Sequence, residues 1–110
     1  MATTLLLLLT AALLEAGGDA IVRTGLKTPE PFTKAGFFVL GALVLLSYGL
    51  TVNAPRWDFG RLLGVYVVFF FVVAQFISWI AFGQRPTPAI LLGGIFIVIG
   101  GCIISFAPAG

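Results

Sequence analysis

Residues 65–73 read Val65-Tyr-Val-Val-Phe-Phe-Phe-Val-Val73, and the solvent around them decides the fold. In water, such a run of β-branched and aromatic residues would be a buried strand. In a bilayer it must be a helix, because backbone groups in lipid have to be satisfied within the segment. Working outward, the apolar run extends unbroken from Phe59 to Phe82 apart from Arg61 near its start. That is more than the roughly 20 residues a helix needs to cross the hydrocarbon. The length decides for helix.

Three further runs of similar character flank it, at Thr4–Leu26, Ala35–Val52 and Ala89–Phe106. Between them lie Lys27-Thr-Pro-Glu-Pro-Phe-Thr-Lys34, Asn53-Ala-Pro-Arg-Trp-Asp58 and Gly83-Gln-Arg-Pro-Thr-Pro88, which carry most of the prolines and charges and read as loops. Pro55 and Asp58 signal a turn and a helix cap, and Pro108 ends the fourth run. The expected fold is an all-α membrane protein of four transmembrane helices with short loops, one domain over residues 1–110. The opening Met1-Ala-Thr-Thr-Leu-Leu-Leu could pass for a secretory signal, but it lacks a basic n-region and a clean cleavage site, so a retained helix is expected.

The composition agrees. Of 110 residues, 60% are hydrophobic and 9% charged, and mean hydropathy is +1.16. Soluble domains are about 25% charged. With no histidine and one cysteine, a His/Cys metal site and an intrachain disulfide are both excluded, and no cofactor is expected. No nucleophile–base constellation suggests an enzyme. The net charge of +2 suits loops near anionic headgroups and is too small for nucleic-acid binding. Four basic residues, Arg23, Lys27, Lys34 and Arg85, fall on the side of the first and third loops, against Arg56 and Arg61 on the other. This weakly places the first and third loops in the cytoplasm of a prokaryote.

Glu15 lies near the middle of the first run, where a charged carboxylate costs about 2.5–3.5 kcal/mol on insertion scales. Asp19 and Arg23 follow at i+4 and i+8, on one stripe of the helix. Asp19 and Arg23 can form an ordinary structural ion pair, while no cation lies within a turn of Glu15. Membrane carboxylates of that kind usually mark ion or proton pathways, the alternative being that Glu15 hydrogen-bonds a neighbouring helix to fix packing. Ser47, Tyr48, Tyr66, Gln75, Ser78 and Trp79 could share the site. Tyr66 could donate to a carboxylate or offer its ring to a cation, or else anchor an interface. Gln75 reads as a packing residue, Trp79 as belt or core, and Cys102 as a small core residue. In the fourth run, Gly93 and Gly100 are seven apart with Ile97 between, and Gly94 and Gly101 form a parallel stripe. Such spacing suits close helix approach, expected here as a dimer face, with packing inside one subunit as the alternative.

Together these residues resemble the small multidrug resistance transporters of the drug/metabolite transporter superfamily. The resemblance covers nearly the whole chain. It rests on Leu14-Glu15-Ala-Gly-Gly with Arg23, on Pro31-Phe-Thr-Lys34, on Ser78-Trp79-x-x-Phe82-Gly83-Gln84-Arg85, and on Pro88-Ala-Ile-Leu-Leu-Gly93 with Gly100. It implies an antiparallel homodimer in which paired Glu15 carboxylates bind protons and a small organic cation in turn. On the residues themselves, Asp19 would tune that site or extend a polar pathway, Arg23 would hold Asp19 ionised, and Tyr66 and Trp79 are candidate wall residues; Gly93, Ile97 and Gly100 would form the interface. The chain departs from the pattern at Tyr66-Val-Val-Phe-Phe-Phe71 and at Asp19. Gly60-Arg61…Gly64-Val65-Tyr66-Val67 looks more like uncharacterised four-helix inner-membrane relatives of the family. An accessory subunit of a larger membrane complex and a transporter of a lipid-linked or neutral metabolite are the competing readings.

Overall fold

In a computed structural model, which describes residues 2–107, the chain is helical and forms four elements. They are α1 (Ala2–Leu26), α2 (Pro31–Val52), α3 (Phe59–Phe82) and α4 (Pro88–Phe106). All four are long and apolar enough to cross a membrane. The strand-like stretch Val65–Val73 lies wholly inside α3. Pro108 lies outside the described residues.

Helix boundaries follow the capping chemistry. The first loop is shorter than expected, because Pro31–Lys34 belongs to α2. Proline is tolerated at the first helical position, where no N–H is required. Ahead of it the Glu30 carboxylate accepts the N–H groups of Phe32 at 3.0 Å and Thr33 at 2.6 Å. Pro88 likewise opens α4, behind Thr87, whose hydroxyl accepts the Ile90 N–H. Asp58 stands at the cap position of α3, but its side chain makes no capping bond; its carbonyl accepts the Leu62 N–H at 2.8 Å. At the far end of α3, Gly83 has φ of +66°, a left-handed conformation that a side chain would strain, and the Gln84 N–H closes onto the Ser78 carbonyl.

The helices form a thin slab of 52 × 34 × 19 Å, its short axis about two helix diameters. α1 is central, packed against α2 and α3, and α4 lies outside against α3. Close approach to α1 comes from small residues. Ala11, Ala12 and Ala16 are buried, and a Cβ at Gly18 would strike Leu45 and one at Gly41 would strike Val22. α4 is seated the same way, since a Cβ at Gly94 would meet Phe71 and one at Gly101 would meet Val68. In lipid such contact packing supplies much of the association energy. Arg61 adds a polar fastening: its guanidinium donates to the carbonyls of Ser105 at 2.8 Å and Ala107 at 3.0 Å, at the negative end of α4. Several hydroxyls are spent locally; Thr10, Thr24, Ser47 and Thr51 each donate to the carbonyl four residues back.

Candidate functional site

Glu15 occupies the middle of the central helix, half-buried between α2 and α3. Alanines before and after it, Ala12 and Ala16, leave room for α3 to come close. The Tyr66 hydroxyl donates to Glu15 Oε1 at 2.8 Å, a bond between residues 51 apart in sequence. Tyr66 itself is 4% exposed, so its ring and hydroxyl are held in one place. The Tyr48 ring packs on it with centroids 5.7 Å apart, and Phe70 sits at 6.3 Å. Three helices therefore meet at one carboxylate: α1 supplies the acid, α3 its donor, and α2 an aromatic neighbour.

A cleft of about 230 Å³ opens beside this point between α1 and α3. Asp19 and Arg23 line it from α1, Phe70 and Phe82 from α3, and Gln84 at its end. The expected Asp19–Arg23 pair is not formed. Arg23 instead stands over the Phe82 ring, 5.3 Å from its centroid, and Lys27 joins it at 5.5 Å. The stacking satisfies the cation on an aromatic face while leaving Asp19 open to the cleft. Two cations thus share one ring at the end of α1, and Asp19 faces the cavity without one of them.

Trp79 is not part of this arrangement. It follows Tyr66 by thirteen positions, about 220° around the helix, and so points away. It lines a separate groove between α3 and α4 together with Gln75, and the Arg85 guanidinium stacks over it at 5.4 Å. Ser47 is engaged within its own helix, and Ser78 bonds Gln84 at the end of α3. Cys102 is exposed on α4, where a core position was expected, because α4 turns only its glycine side toward α3. Phe70, Phe82 and Gln84 escaped the sequence reading of the site. Stepping four residues at a time from Tyr66 leads to Phe70 and Ala74, so helical spacing carried that signal. On α4, nothing lies near a Cβ built at Gly93 or Gly100, whereas Gly94 and Gly101 are filled from α3. Ile97, partly buried, sits between the two stripes.

Four helices long and apolar enough to span, joined by short capped loops, with a carboxylate in the middle of the first, define a multi-pass membrane protein. The chain belongs to the family described as "Uncharacterised BCR, YnfA/UPF0060 family", whose model matches residues 1–110. It is 35% identical to the UPF0060 membrane protein YfjF of Bacillus subtilis (strain 168), over 100% of this chain and 99% of that one. A UPF0060 membrane protein of Rhodococcus erythropolis is 34% identical over 97% of each chain. One from Arthrobacter sp. (strain FB24) is 33% identical over 98% of this chain and 95% of its own. No solved structure matches the chain.

Proposed function

We propose that the protein is a proton-coupled exporter of small organic cations, working as a homodimer around Glu15, without covalent chemistry or a cofactor. The observation that carries this reading is the mid-span Glu15 carboxylate, bound by the Tyr66 hydroxyl and paired with no cation among the described residues, beside a cleft lined by Asp19. An ionised carboxylate at that depth is expensive, so it holds a proton or a cation. Exchange of one for the other is the elementary step of antiport. Tyr48, Tyr66 and Phe70 supply ring faces beside the acid, and aromatic faces attract organic cations. The resemblance to small multidrug resistance transporters in Leu14-Glu15-Ala-Gly-Gly and Ser78-Trp79…Phe82-Gly83-Gln84-Arg85 supports the same chemistry and an antiparallel arrangement of subunits. The open Gly93/Gly100 side of α4 is the surface through which a second copy would pack, closing a site that one thin slab leaves open to its surroundings.

The test is proton-driven uptake of tetraalkylammonium cations into proteoliposomes by the full chain and by Glu15→Gln. Uptake that disappears in the variant supports the proposal; uptake that is unchanged overturns it. The open face of α4 also suits a foreign membrane chain, and the accessory-subunit reading makes the opposite forecast. It requires co-purification with other chains in fixed ratio, and no competition between cations and protons.

A further inference from the structure

The groove on the far side of α3 has a chemistry of its own. It holds about 290 Å³ and is walled by Phe71, Phe76 and Trp79 of α3, by Pro86, and by Leu91 of α4. Gln75 borders it without presenting a polar atom, so the wall is apolar throughout. At its loop end stands Arg85, with its guanidinium 5.4 Å from the Trp79 centroid. Among the described residues none accepts a hydrogen bond from Arg85, so its N–H donors can take two phosphate oxygens at once while the cation rests over the ring. The turn that carries Arg85 is bounded by the left-handed Gly83 on one side and by Pro86 and Pro88, whose rings fix φ, on the other.

Basic groups outnumber acidic ones at this end of the bundle. Arg23 and Lys27 lie at the same end of the bundle, both against Phe82, and Lys34 opens α2 there. The carboxylate of that loop face, Glu30, is taken up by the N–H groups of Phe32 and Thr33. An apolar channel at hydrocarbon depth, ending in a tryptophan and a free arginine at the headgroup level, matches an acyl chain joined to a phosphate. We infer that the α3–α4 groove is a binding site for one anionic phospholipid, its chain against Phe76 and Leu91 and its phosphate on Arg85. The site is independent of Glu15.

Trp79 makes the occupant readable. In the full chain carrying Trp57→Phe, which leaves Trp79 as the sole tryptophan, fluorescence is measured in bilayers containing brominated phosphatidylglycerol or brominated phosphatidylcholine. Preferential quenching by brominated phosphatidylglycerol is expected, with an affinity ratio of about fivefold, the worth of one basic group at an anionic surface. Arg85→Gln should abolish the preference and Arg85→Lys should keep part of it. Equal quenching by the two lipids, or a preference that survives Arg85→Gln, overturns the proposal. Absence of quenching by either lipid also overturns it, since a second copy or another chain then covers the groove. Native mass spectrometry reads the same preference without the tryptophan substitution. The unaltered chain should retain phosphatidylglycerol and Arg85→Gln should lose it; equal retention by the two overturns the proposal.

Discussion

The hydrogen bond from Tyr66 to Glu15 separates two roles that one carboxylate can have. Gln at position 15 still offers a carbonyl to the Tyr66 hydroxyl, so Glu15→Gln should fold with nearly unchanged stability while losing proton exchange. Tyr66→Phe acts on stability and on binding together. It keeps the ring between Tyr48 and Phe70 but removes the donor. Loss of this bond should lower stability by about 1–2 kcal/mol and weaken cation binding at Glu15 about tenfold, measured by detergent unfolding and by binding titration. Only part of this site could be read from the chain. The stripe Glu15, Asp19, Arg23 follows from helical spacing alone, and so does the common side of Asp19 and Arg23 on the cleft. That Arg23 prefers Phe82 to Asp19 does not, because it depends on how α1 meets the end of α3. Trp79 stood close to the signature residues in sequence, yet helical rotation puts it on the opposite side from Tyr66.

At the level of helices, the ends are where expectation and structure part. Length and apolarity give four spans at once, but Pro31 and Pro88 look like loop residues until the caps preceding them are recognised. Glu30 is the better lever. Hydrogen bonds from the Thr33 hydroxyl, the Thr33 N–H and the Phe32 N–H hold its carboxyl below the usual carboxylate range. A carboxyl lowered on folding stabilises the folded state above its unfolded value, and that contribution is lost as pH falls through the folded one. Glu30→Ala should therefore lower the melting temperature at neutral pH. The gap between variant and parent should close as the solution is acidified below the ordinary carboxylate range. Thermal unfolding in detergent across that window is the measurement; a gap independent of pH would mean the charge on Glu30 contributes nothing.

On the scale of the whole molecule, two neighbouring glycines report on different interfaces. Gly101 is buried against Val68, whereas nothing lies near a Cβ at Gly100. Gly101→Ile should push α4 off α3 and destabilise the fold by about 1–3 kcal/mol. Gly100→Ile should leave the unfolding curve of the single chain unchanged and abolish the dimer in sedimentation velocity. A Gly100→Ile protein that still dimerises places the interface elsewhere. The glycine repeat was legible as a packing signal, but its division between an inner and an outer stripe was not, since both have the same spacing. The order α2–α1–α3–α4 across the slab was equally hidden, being a matter of which small residues meet. That order also has a consequence in time. α1 and α2 are consecutive and pack through Gly18 and Gly41, so they can join as soon as both have left the ribosome. Tyr66 is synthesised 51 residues after Glu15, a delay of roughly 3–10 s at ordinary translation rates. Throughout that interval the most demanding side chain of the first span is in the membrane without its donor. Birth of the protein thus passes through a hairpin whose acid is still unanswered, and arrival of the third helix completes it.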